Sequence, residues 1–141
     1  MRCRILLAVA ALLFLAAGAR PQDDAGQKTE PLRGEWKLVS TQDEKHTDLG
    51  CDNSRMIVQA DGRVVFRLAG RTMNHGALTF GTSGELKSLD LKLSDGQTLL
   101  GIYEEKDDEL VICFAEAGKD RPAAMTPQGT QWAEKWKRSR P

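Results

Sequence analysis

Ser54-Arg55-Met56-Ile57-Val58-Gln59-Ala60-Asp61-Gly62-Arg63-Val64-Val65-Phe66-Arg67-Leu68 is the stretch on which the fold turns. Apolar and polar residues alternate on both sides of Asp61-Gly62, the pairing of period two with a D-G dipeptide that marks a hairpin. It predicts strands over 54–60 and 63–68, joined by a two-residue turn, with Val64, Phe66 and Leu68 on one face. Downstream the same pattern recurs. Ala69-Gly70 turns the chain into a strand over 71–80, and Gly81-Thr82-Ser83-Gly84 reads as a loop. The strand over 86–93 sets Leu89, Leu91 and Leu93 against Ser88, Asp90 and Lys92. Turns at 94–97 and 106–108 separate strands over 98–105 and 109–115. A loop over 116–129, with Gly118, Pro122 and Pro127, leaves room for one or two helical turns before a last strand over 130–138. Upstream lie a strand over 34–41 and a polar loop over 42–53.

Eight short strands joined mostly by tight turns are antiparallel neighbours, and an open sheet of that size leaves two exposed edges. Pairing the last strand with the first removes both. The expected fold is therefore all-β: an eight-stranded antiparallel up-and-down barrel, with a flattened sandwich of the same meander as the alternative. The expected inward set is bulky: Trp36, Leu38, Val64, Phe66, Leu68, Leu89, Leu91, Leu93, Leu100, Ile102, Ile112, Phe114, Trp132 and Trp136. Strand directions gather the loops at 42–53, 69–71, 94–97 and 116–129 at one rim. Tight turns and the two ends of the closing seam lie opposite. Trp36, with Trp136 and Arg138, is expected to plug that closed end, Arg138 contributing a cation–π cover worth about 1 kcal/mol.

Several segments resemble a known family. Leu32-Arg33-Gly34-Glu35-Trp36-Lys37-Leu38-Val39-Ser40 opens with a G-x-W; Thr98-Leu99-Leu100-Gly101-Ile102-Tyr103-Glu104, Val111-Ile112-Cys113-Phe114-Ala115, Gly118-Lys119-Asp120-Arg121-Pro122 and Trp136-Lys137-Arg138 follow in order. Together they resemble a lipocalin-like domain family of small secreted planctomycete proteins, functionally uncharacterised, over nearly all of 32–138. The resemblance implies a secreted or periplasmic barrel, in which Gly34, Trp36, Trp136 and Arg138 close the structure. It departs from the family at Met125, where an aromatic is usual, and at Cys51, which lies outside the shared pattern.

The N-terminus reads as an address. Arg2 and Arg4 precede an unbroken apolar run over 5–17 (ILLAVAALLFLAA), and Ala17-Gly18-Ala19 supplies a small-x-small cleavage site. That divides the chain into a signal peptide over 1–19, a flexible leader over 20–31 without large apolar side chains, and a barrel domain over 32–139. Removal of Arg2 and Arg4 lowers the basic residues from 20 to 18 against 20 acidic, net −2. No excess of positive charge then favours nucleic acid. A mature protein that does not span the membrane is expected, as a monomer.

Catalytic signatures are absent. There is no G-x-S-x-G, and Cys113 sits mid-strand in V-I-C-F-A, where a packed residue is the ordinary outcome. Asp43, Glu44, His46, Asp48, Cys51 and Asp52 crowd one loop, and His75 is the other histidine. No H-x-x-x-H or C-x-x-C spacing makes them a zinc site. The reading is of no enzyme, no cofactor and no metal. Cys51 and Cys113 form the candidate disulfide, two free thiols being the alternative. Lys119 and Arg121 either attract an anion at the rim or pair internally and fold their loop onto the barrel. Two functions remain: a barrel that binds an apolar or amphipathic small molecule at the open rim, or an interaction or inhibitor module with a filled core, acting on a secreted protein partner. For the first, Met73, His75, Gly101 and Tyr103 are the candidate ligand-binding residues, Tyr103 and His75 supplying polar contacts.

Overall fold

The computed structural model describes residues 32–49 and 53–140; the expected signal peptide, the leader and Cys51 lie outside them. The described chain is all-β, with no α-helix. Its strands are β1 (Gly34–Gln42), β2 (Thr47–Leu49), β3 (Ser54–Val58), β4 (Arg63–Leu68), β5 (Arg71–Ser83), β6 (Leu86–Leu93), β7 (Thr98–Lys106), β8 (Glu109–Phe114) and β9 (Trp132–Arg138). Each of β3 to β9 pairs antiparallel with its sequence neighbour, and β1 pairs with both β3 and β9. The eight long strands therefore close into an antiparallel barrel, which removes the sheet edges. The short strand β2 folds back on the end of β1, pairing Ser40 with Leu49 and Gln42 with Thr47.

Several local readings need correction. The loop over 42–53 contains β2, whose Thr-Asp-Leu has no apolar period; its turn is closed by the Asp43 N–H donating to the His46 carbonyl at 3.0 Å. The segment 81–83 belongs to β5, paired with β6 as far as Ser83 opposite Leu86, and only Gly84-Glu85 turns. The turn at Asp61-Gly62 is a three-residue loop. The Gln59 N–H donates to the Arg63 carbonyl, the Gly62 N–H donates back to Gln59, and Gly62 takes φ +85°. Ser94-Asp95-Gly96 repeats the arrangement, with Gly96 at φ +92°. In both, the aspartate accepts from the backbone N–H two residues on. That side-chain bond and the left-handed glycine define a type I turn with a bulge.

The interior holds Trp36, Met56, Val58, Val64, Leu78, Leu89, Leu91, Leu110, Ile112, Phe114 and Trp136, with Tyr103 among them. On β7 the expected phase is inverted: Leu99 and Tyr103 turn inward, whereas Ile102 turns outward and Leu100, two residues before it, shares its face. Both faces of β7 are apolar because both are covered, so alternation alone carries no sign there. The outer cover is the chain over 115–131. It lays Met125 against a second cluster of Ile102, Cys113 and Ala133, and Pro122 is fully buried. Arg121 ties this strap down. One guanidinium nitrogen donates to the carbonyls of Leu89 (3.0 Å) and Gly101 (2.9 Å), and the other to Asp90 at 2.6 Å. Arg121 thus makes an ion pair that folds the loop onto the barrel, and its partner is Asp90.

Candidate functional site

The two ends of the barrel differ in kind. At the end with tight turns, Trp36 is fully buried and its indole N–H donates to the Leu32 carbonyl at 2.8 Å. The Arg138 guanidinium lies over its ring, 4.1 Å from the centroid. Arg138 also donates to the Arg33 carbonyl at 2.6 Å and to Glu105 at 3.1 Å, with Asp108 nearby. Gly34 makes this stack geometrically possible. Its φ is +128°, and a Cβ there would come within 2.9 Å of the Arg138 guanidinium. Trp136 lies further in, opposite Leu38 and Leu110.

At the end with the long loops, β1 loses its neighbour. It pairs with β3 only as far as Lys37 and with β2 only from Ser40, and Val39 bulges out of the β9 ladder. Beside this gap opens a cavity of about 200 Å³. Leu38, Phe66, Leu68, Met73 and Trp136 form its apolar wall, with Ser54, Arg55 and Arg67 at its edge. Phe66 and Trp136 make an aromatic corner, their centroids 6.5 Å apart and their planes at 48°.

Glu134 also lines the cavity. The period of β9 puts it on the inward face with the two tryptophans, and each takes one of its oxygens: Trp132 Nε1 donates to Oε1 at 3.0 Å, Trp136 Nε1 to Oε2 at 3.1 Å. None of the ion pairs among the described residues includes it. Burial pushes its carboxyl above the ordinary value, and the two indole donors oppose that without cancelling it. Sequence reasoning passed over Glu134, although Trp132-Ala133-Glu134-Lys135-Trp136 shows an acid at an inward position of an alternating strand.

Of the expected ligand residues, only Met73 belongs to this cavity. It sits unpaired at the irregularity between Phe66–Asn74 and Arg67–Thr72, and is 64% exposed at the mouth. His75 is exposed on the outer face opposite Val65, because Asn74, Gly76 and Leu78 take the inward phase. Tyr103 is inward but lies towards the closed end, packed edge-on against Phe80 at 5.7 Å; β7 starts at the loop rim and carries Tyr103 away from it. Gly101 makes no space for a ligand, since a Cβ there would meet the Phe114 ring at 3.0 Å and the Cys113 carbonyl at 3.2 Å. Gly76 lets β6 approach, with the Lys92 carbonyl oxygen 2.4 Å from where a Cβ would stand. Cys113 carries a free thiol and faces outward beneath the strap, not into the barrel. Its burial raises the thiol pKa, the reverse of what a nucleophile needs.

The raised carboxyl of Glu134 gives stability a pH dependence of definite sign. Folding binds its proton more tightly than the unfolded chain does. Its contribution is thus most favourable below the ordinary value of 4.5 and declines as pH rises from there through the raised value. Unfolding free energies of Glu134→Gln and the native chain, measured by urea between pH 4 and pH 8, should show the variant gaining on the native chain as pH rises. Parallel curves would contradict this.

Comparison with known proteins returns nothing: no family model matches the chain, and no curated protein or solved structure is detectably similar to it.

Proposed function

We propose that this chain is a lipocalin-like extracytoplasmic barrel that binds an apolar or amphipathic small molecule at its open rim, as a binding protein rather than an enzyme. The cavity between Leu38, Phe66, Leu68, Met73 and Trp136 carries the reading. It is concave, mainly apolar, furnished with a few polar groups of which Glu134 is the one held between the two tryptophans, and placed at the rim with the long loops. The Trp36–Arg138 stack at the other end supports the lipocalin-like reading. The N-terminal address supports export; no helix among the described residues is long and apolar enough to cross a membrane.

Titration with an environment-sensitive apolar dye tests the binding reading. Saturable binding is expected for the native chain and should be lost in Leu68→Trp, which fills the mouth at a position already 39% exposed and so spares the fold. Absence of saturable binding overturns it. The second reading, an interaction or inhibitor module with a secreted partner, is favoured by one observation. Below the cavity the interior is filled, and Val39, Leu68 and Met73 expose apolar surface around the rim. For the address, mass analysis of exported protein should find a start at or a few residues after Arg20. Recovery of the intact N-terminus in the membrane fraction would contradict cleavage.

A further inference from the structure

The rim cavity combines three features that together specify a chemical class. The first is size. An apolar cavity of about 150 Å³ holds a single benzene, so about 200 Å³ holds one ring with a short chain. The second is the aromatic corner of Phe66 and Trp136, which takes an apolar ring on one side and offers a π face to a cation on the other. The third is Glu134. An ionised carboxylate has about four acceptor sites, and the two indoles use one on each oxygen. The rest have no cation among the described residues, inside a wall that is mainly apolar. A charge so placed is unfavourable until an opposite charge joins it. The two arginines at the edge do not serve. The strand register puts Arg55 and Arg67 opposite each other on the outer face of β3 and β4, alternating with inward Met56 and Phe66. The Arg55 guanidinium is turned onto Glu35 at 3.3 Å.

We infer that the ligand is a small amine with a single aromatic ring, its ring against Phe66 and Trp136 and its ammonium paired with the Glu134 carboxylate. This rests on the cavity being a binding site, and deepens that reading by assigning Glu134 the choice of charge. The occupant has the dimensions of a phenylalkylamine: an ammonium held two carbons from the ring reaches Glu134 while the ring remains beside Trp136, since both residues lie on one face of β9.

The test uses three isosteric probes, 2-phenylethylamine, 2-phenylethanol and propylbenzene, and one slightly larger anion, 3-phenylpropionate. Each is titrated into the mature chain by calorimetry and by NMR of the tryptophan indole N–H signals. The amine should bind at least tenfold tighter than the alcohol and shift the Trp132 and Trp136 indole signals, and the carboxylate should bind weakest. In Glu134→Gln, with its fold checked by circular dichroism, the amine should fall to the level of the alcohol while the alcohol is little changed. The native-chain series decides the matter even where that variant does not fold. If the alcohol or propylbenzene equals the amine and shifts the same signals, the cavity is a binding site but the amine assignment is wrong. Tightest binding by the carboxylate likewise overturns the amine. If no probe binds and the apolar dye fails as well, the cavity reading itself fails; dye binding without any probe binding overturns the amine alone.

Discussion

Trp36→Ala is expected to lose about 3–5 kcal/mol of unfolding free energy, the range for emptying a large buried aromatic site. Trp36 has no exposed surface, and it fills the closed end of the barrel where β1 meets both β3 and β9. Truncation removes its packing, orphans the Leu32 carbonyl that its indole N–H satisfies, and takes away the ring on which Arg138 lies. Arg138→Ala should cost about 2–3 kcal/mol, more than a cation–π contact alone. The guanidinium also holds Glu105, which is 16% exposed, and the Arg33 carbonyl, and charged hydrogen bonds of this kind are individually substantial. The two costs should not add, because they share one contact. Urea melts of the two single variants and the double variant give the order and the coupling. A Trp36→Ala chain as stable as the native one would refute the plug, and strict additivity would refute the stack.

How far the sequence could be read depended on whether a strand has one wet face. The strand β6 alternates leucine with Ser88, Asp90 and Lys92, and its phase was legible because only one side is uniformly apolar. Closure of the barrel was legible too, since eight antiparallel neighbours leave two exposed edges that only pairing of the last strand with the first removes, as β1 and β9 do. On β7 and β8 the strap covers the outer face, so Leu100, Ile102 and Cys113 resemble core residues from every local viewpoint. Their phase is set by a segment that docks from elsewhere in the chain. The docking is itself hard to read. Arg121 binds two backbone carbonyls 32 and 20 residues away in sequence, and a carbonyl has no side-chain signature. At the candidate site the rim was legible from strand direction, and Met73 with it. The same rule shows that Tyr103, midway along a strand leaving the rim, lies below the opening. Glu134 was available as an acid between two tryptophans on the inward face. The gap beside Leu38 was not, because it arises where β1 exchanges β3 for the short polar strand β2.

Arg121→Ala should accelerate modification of Cys113 by a small thiol reagent about 30- to 150-fold under native conditions. Cys113 is fully buried between Ile102 and Ala133, with Met125 of the strap packed on the cluster, so a reagent reaches it only when the strap lifts. Two things hold the strap down. One is the apolar contact of Pro122 and Met125; the other is the Arg121 fork on Leu89, Gly101 and Asp90. The ion pair is partly exposed, the two side chains keeping 23% and 41% of their surface, so its Coulomb energy is screened. The two carbonyl bonds are the larger part, and loss of a charged donor to them is worth about 2–3 kcal/mol, which raises the open population by the stated factor. Arg121→Lys retains the charge but not the fork, and should fall between the two. The denaturant dependence separates local from global opening. Lifting the strap exposes little surface, so the labelling rate should rise only gently with urea, far less than the unfolding equilibrium does. An unchanged rate in Arg121→Ala would mean that Pro122 and Met125 alone seat the strap. A steep urea dependence in the native chain would mean that Cys113 is reached only by unfolding the barrel.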